Sequence, residues 1–268
     1  MEFGKKQVQK YWDGEPCNTR AGEPFPEGSL EFFEKIEDSR YKDQSFIHSF
    51  VQFTRWRGKK VLEVGCGCGT DFIQFARAQA RACGMDMSQH SVELTKKRLH
   101  HYGLDAEVMV GDGENLPFLS EQFDLVYSWG VLHHTPDTSR AIKEIYRVLK
   151  SGGYLKAMVY HRFSTMGWVA YLKYGLLRGK PFTSLSKVMS QCVESPGTKA
   201  FSMKEVKSYF SLFSNLKFQP LLIPEAIGLK ATPFLPLLKF YPSRHDRPST
   251  YYWHYRSGRL ISCRITAD

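Results

Sequence analysis

The chain has 268 residues, 42% of them hydrophobic, which is enough to bury one sizeable core and suits one α/β domain with additions. Its net charge of +10 is uneven: residues 1–150 hold 20 Lys/Arg against 22 Asp/Glu, whereas residues 151–268 hold 17 against 5. The polar start at 1–10 argues against a secretory leader, six scattered cysteines without a CxxC pair argue against a disulfide framework, and four prolines interrupt the most apolar stretch, 220–238, so the expected setting is the reducing cytoplasm.

The N-terminal stretch predicts a short helix over 7–12 carrying Tyr11 and Trp12, a loop punctuated by Gly14, Pro16, Gly22, Pro24 and Pro26, and a longer helix over 30–41. Residues 61–71 read VLEVGCGCGTD, an apolar strand ending in an acid and running into Gly65, Gly67 and Gly69. The dinucleotide fingerprint would need its third glycine one place later, where Thr70 stands. Glu63 would also repel a pyrophosphate. Gly65 and Gly67 allow a sharp turn and close approach of the backbone to a ligand.

At the spacing of a βαβ unit, GMDMS over 84–88 places Asp86 at the end of a second strand and Ser88 at the cap of a helix carrying Val92 and Leu99. Taken alone, Asp86 also reads as a turn acid. Residues 106–118 predict a third strand and an acidic loop, in which Asp112 before Gly113 has the form of an Asx turn. A fourth strand over 123–129 leads into GVLHHTPD. The helical period of Ile142, Ile145, Tyr146 and Leu149 predicts a helix over 138–150, stopped by Gly152 and Gly153 ahead of a fifth strand over 154–160. Beyond it lie an apolar, aromatic segment of helical length at 168–177, a capping box from Ser202 to Glu205 heading a helix, a strand at 216–223, an aromatic run at 251–255 and a last strand at 260–265.

The glycine loop, GMDMS, the acidic loop and the VLHH and RVLKSGG runs, in this order over about 40% of the chain, resemble the small-molecule (type 11-like) branch of the class I S-adenosylmethionine (SAM)-dependent methyltransferases. The resemblance implies an α/β, Rossmann-like, doubly wound and mostly parallel seven-stranded sheet with an N-terminal helical cap and an insertion after strand five. The expected division is 1–50 as cap, 51–163 as SAM-binding core, and 164–268 as acceptor-binding insertion and final strands of the same domain. It implies SAM as cofactor, with Glu63 toward its ammonium, Asp86 toward the ribose hydroxyls and Asp112 toward the adenine amino group; Gly65, Gly67, Met87, Gly113 and Ser128 complete the expected cofactor-binding set. In such enzymes the N-terminal segment folds over the cofactor, so Tyr11 and Trp12 read either as lid residues or as core anchors.

Methyl transfer is an in-line displacement that asks mainly for alignment and exclusion of water. A base is needed only where the acceptor must lose a proton, and His133, His134, Tyr160 and His161 are placed for it; a His-His pair opening a helix also serves packing or capping. No HxxxH helix suggests a metal, and none is expected. Residues 127–130, YSWG, lack the Pro-Pro signature of enzymes acting on nucleobase amino groups, and no Pro-Cys nucleophile is present. The expected acceptor is therefore a small molecule, anionic or apolar, of natural-product, quinone or lipid type, methylated on O, N or C. The alternatives are an RNA-modifying methyltransferase and a non-catalytic SAM-binding partner protein. The basic C-terminal half suits an anionic substrate, an acidic partner, a lipid headgroup, RNA or solvent alone. For 168–177 an interfacial membrane helix is the competing assignment.

Overall fold

A computed structural model describes residues 4–192, 195–221 and 260–266. The aromatic run at 251–255 and most of 220–238 lie outside the described residues. Strands β1 (Lys60–Val64), β2 (Arg81–Asp86), β3 (Glu107–Val110), β4 (Phe123–Trp129) and β5 (Leu149–Tyr160) pair in parallel; β6 (Ser214–Leu221) and β7 (Leu260–Thr266) add antiparallel pairings at one side. The order is β3-β2-β1-β4-β5-β7-β6, so the sheet is mostly parallel, as expected. Chain progression reverses between β1 and β4. At such a switch point two crossovers leave in opposite directions and open a crevice at the strands' carboxyl ends.

β1 alternates between two cores. Val61 faces one containing Phe72, Phe75, Val92, Leu99 and Leu125, whereas Leu62 and Val64 face another with Val126, Ile142, Ile145 and Val148. Leu125 and Val126 come from β4, and helices α4 (Phe72–Arg77), α5 (Gln89–His101) and α6 (Thr138–Val148) supply the rest. Ser88 caps α5 as expected, its Oγ accepting from the Ser91 N–H at 3.1 Å. The glycine stop expected after α6 does not form. The helix ends at Val148, and Leu149 is already extended and paired with Phe123, because β5 begins before the glycines and uses them within the strand.

Before β1 stand α1 (Lys5–Gly14), α2 (Leu30–Asp43) and α3 (Phe46–Val51). Between β5 and β6 stand α7 (Thr165–Tyr174), α8 (Leu185–Cys192) and α9 (Met203–Tyr209), the last headed by the expected capping box. Among the described residues no helix is long and apolar enough to cross a membrane.

One cation ties the N-terminal helices to the sheet. Lys156 on β5 is 1% exposed, and its Nζ donates to the Phe50 and Val51 carbonyls at 2.6 and 2.8 Å. These carbonyls end α3, where a positive charge also meets the negative end of the helix. Lys156→Met strips both carbonyls of this donor, and we expect a loss of about 2 to 4 kcal/mol in urea unfolding at unchanged slope. A loss below about 0.5 kcal/mol would mean that α3 is held by its apolar contacts alone.

Candidate active site

The cleft forms where the turn after β1 must climb over the sheet edge. Gly65, Gly67 and Gly69 adopt φ of +80°, +53° and +77°, a region that side chains other than glycine rarely enter. At Gly65 space is also closed, since a Cβ there would lie 2.1 Å from Val131 Cγ2. Asp86, at the end of β2, pins this turn: its Oδ2 accepts from the Gly67 N–H and its Oδ1 from the Ser88 N–H, both at 2.9 Å. Thr95 of α5 donates to the Gly67 carbonyl at 2.7 Å.

Beneath the turn lies a buried electrostatic cluster. Asp71 occupies the cap position of α4 but caps nothing. Its Oδ2 takes Arg40 Nη2 at 2.6 Å and the Tyr127 hydroxyl at 2.8 Å, and its Oδ1 takes the Tyr41 hydroxyl at 3.0 Å. Burial raises the Asp71 carboxyl, but the Arg40 charge and these hydrogen bonds outweigh it and hold it below the usual carboxylate range. Glu63 is treated oppositely. Burial, then the like charges of Asp71 and Asp86, push its carboxyl well above the ordinary value, with Arg40 offsetting only in part. Its Oε2 is buried without a hydrogen-bond partner, as is Arg40 Nε.

α1 crosses the cleft. Lys5 Nζ lies 2.6 Å from both Asp112 Oδ2 and Glu114 Oε2, Gln9 donates to the Met87 carbonyl at 3.0 Å, and Trp12 sets its ring edge-on to His134 at 5.2 Å. The cleft is open at its mouth and, counting the solvent there, encloses about 1100 Å³ of empty space.

Glu63, Gly65, Gly67, Asp86, Met87, Asp112, Gly113 and His134 all line it, and so does Trp12; Ser128, His133, Tyr160 and His161 do not. Ser128 is fully buried in β4, and the neighbouring Trp129 and Gly130 reach the cleft instead. His133 is fully buried with neither ring nitrogen hydrogen-bonded, stacked on Tyr160 at 3.9 Å; burial, then the neighbouring His134, keeps it neutral by lowering its pKa well below the usual value. It serves packing. His134 differs: its Nδ1 lies 2.8 Å from Ser195 Oγ and 3.0 Å from Thr198 Oγ1. Asp112 makes the Asx turn, its Oδ1 accepting from the Glu114 N–H at 2.9 Å, while its Oδ2 meets Lys5.

Sequence reasoning passed over Arg40, Lys5, Ser195 and Thr198. Each reaches the site from a distant segment and carries no local motif.

Three features of this cleft suit the group that the sequence led us to expect. A buried carboxylate oxygen without a donor waits for a cation, a glycine cradle leaves the backbone bare, and the rim is acidic, which disfavours a phosphate-bearing ligand. Comparison with known proteins points the same way. The family described as "Methyltransferase domain" matches residues 61–153. A phthiotriol/phenolphthiotriol dimycocerosates methyltransferase of Mycobacterium ulcerans is 36% identical over 124 residues, 45% of either chain, so the match spans less than half of that relative. A demethylmenaquinone methyltransferase of Bacillus cytotoxicus is 31% identical over 198 residues, covering 66% of this chain and 83% of the relative. The crystal structure of a SAM-dependent methyltransferase of Thermotoga maritima superposes with a TM-score of 0.55 at 20% identity over 97% of this chain and 100% of the other, a likeness of fold. By its motifs, its fold and its kinship along most of a relative's length, the chain belongs to the SAM-dependent methyltransferases.

Proposed function

We propose that the chain transfers the methyl group of SAM to an apolar small molecule of lipid or quinone type. One observation carries the cofactor half of this reading: the Glu63 Oε2, buried without a hydrogen-bond partner beside a glycine cradle. The acceptor half is supported by the relatives, named as methyltransferases of phthiotriol/phenolphthiotriol dimycocerosates and of demethylmenaquinone. Apolar lining from Val8, Trp12, Trp129, Val131 and Pro136 agrees with such a guest.

Bound SAM supplies an electrophilic methyl on a sulfonium. The chain's own residues then bind, orient and exclude water. Glu63 takes the ammonium and Arg40, lining the same cleft with an unpartnered Nε, faces the carboxylate end. Asp86 has one oxygen on each of two backbone N–H groups and retains further acceptor capacity for ribose hydroxyls. α1 covers the cleft and keeps solvent from the reacting atoms. His134, its Nδ1 held by Ser195 and Thr198, is the base for an acceptor that must lose a proton. Asp112 meets the adenine amino group once Lys5 shares it.

Incubating the protein with methyl-labelled SAM and separate lipid, quinone and RNA fractions, then identifying the product by mass, tests the reading. Label in the lipid or quinone fraction is expected; label in RNA alone would refute it. His134→Ala should lower kcat by about 10² to 10⁴ for an acceptor that must be deprotonated, with SAM affinity in calorimetry little changed. Full turnover in that variant removes His134 from the chemistry.

Glu63 gives a pH signature. Because the unliganded carboxyl titrates high, the free protein holds a proton that an incoming ammonium displaces, so SAM affinity rises with pH until Glu63 is ionised without ligand. Calorimetry in buffers of different ionisation enthalpy should register that proton release, and none in Glu63→Gln. The same raised titration means that the folded state binds more protons than the unfolded one, so stability declines as pH climbs past the ordinary glutamate value. Glu63→Gln abolishes that decline, stabilising the unliganded fold by roughly 1 kcal/mol at neutral pH while costing roughly 2 kcal/mol in SAM binding. Equal affinity in the two proteins would take Glu63 out of the site.

A further inference from the structure

α7 is built inside out. Its inward positions are small: Gly167, Ala170 and, at its end, Gly175 are buried, and a Cβ on Gly167 would stand 2.5 Å from the Arg162 carbonyl oxygen and 3.4 Å from Met189 Sδ of α8. Its large apolar residues face outward. Trp168 is 54% exposed, Val169 and Leu172 are exposed beside it, and the series runs on through Leu176, Leu177 at 74% and Phe182 at 100%. Trp168 and Leu172 stand one helical turn apart on one face of α7, and Leu176 and Leu177 follow in the turn after Gly175, extending the apolar stripe along the chain. The small side of α7 packs on α8, and a side chain at Gly167 would run into the Arg162 carbonyl.

Single exposed apolar residues are ordinary, but a contiguous apolar surface marks a contact. The charges around this one indicate its occupant. Lys173, Arg178, Lys180 and Lys187 are exposed about the stripe, and no Asp or Glu occurs between Glu144 and Glu194. The Lys173 ammonium and Arg178 guanidinium lie 5.0 and 5.2 Å from the Tyr174 ring centroid, so the cations sit on aromatic surface. Exposed Trp, Leu and Phe set among cations with no acid match the interface of an anionic bilayer, where rings and alkyl groups enter the acyl boundary and cations meet phosphate headgroups.

We propose that α7 and the turn after it form an interfacial anchor that seats the protein on an anionic membrane surface. β5, from which α7 departs, ends at Tyr160, whose ring stacks on His133 next to the cleft residue His134. The anchor therefore follows the carboxyl end of β5, the end of the sheet at which the cleft opens, and an apolar acceptor dissolved in the bilayer would lie near that end. That last link rests on the acceptor class proposed above; the docking itself rests on the surface.

The test is cosedimentation of the full chain with vesicles of phosphatidylcholine alone or with added phosphatidylserine, which needs no turnover and so stands or falls apart from the acceptor assignment. Binding to the phosphatidylserine vesicles is expected, weakening as salt is raised. Each cation near an anionic surface is worth about a fivefold gain in partition, so Arg178→Gln with Lys180→Gln should lose about 25-fold. Leu177→Ser with Phe182→Ser should also release the protein, with its melting curve and SAM binding unchanged. Failure to bind phosphatidylserine vesicles, or binding indifferent to both double variants, overturns the proposal. So does a wild-type dimer in sedimentation equilibrium that Leu177→Ser with Phe182→Ser turns into a monomer, since a second copy would then be the occupant.

Discussion

The ion pair of Arg40 with Asp71 is the constraint on which the site depends. It joins α2 to Asp71 at the head of α4, two residues past Gly69 and 31 positions away in sequence, with Tyr41 and Tyr127 completing the carboxylate's partners. Arg40 sets two neighbouring acids apart: its charge helps hold Asp71 below the usual carboxylate range, whereas Glu63 is pushed well above it and keeps its buried Oε2 without a hydrogen-bond partner. Removing either partner of such a pair strands a buried charge, a cost of about 3 to 5 kcal/mol. The cap is therefore part of the binding site's electrostatics as well as its cover.

How much of this was legible in the sequence follows from range. The strand, glycine turn and Asp86 are local in chain or repeat at the fixed spacing of a βαβ unit, and the structure brings them to one cleft. Ser202 to Glu205 is likewise a four-residue signal, and its helix forms. Asp71 stands in the motif itself, but its partner Arg40 lies 31 positions away, so the motif gives no sign of the pair. The contact of Ser195 with His134 spans 61 positions and that of Lys156 with Val51 spans 105, and neither leaves a periodic or spacing trace. The glycines after α6 misled for a different reason: the same residue types that stop helices also permit an irregular strand start, and sheet pairing of Leu149 with Phe123 settled the competition.

The His-His pair shows how neighbours acquire different work. One imidazole is entombed against Tyr160 and neutral; the other reaches the cleft with its Nδ1 held by two hydroxyls from the segment beyond α8. That segment also lends Lys199, whose Nζ donates to the Thr135 and Pro136 carbonyls at 2.9 and 2.6 Å. The insertion after β5 thus buttresses the loop that follows β4, so the walls of the cleft are not independent of the helices that bear the exposed apolar stripe.

Asp86 and its clamp on the Gly67 N–H have a consequence for energetics. A glycine-rich turn is among the most mobile pieces of backbone in an unfolded chain, yet here it is tethered by a carboxylate on one strand and by Thr95 on a helix. The entropy lost in freezing it is charged to folding, so a guest arriving at the cleft meets a receptor already in shape. Preorganisation of this kind leaves more of each new contact to appear as affinity.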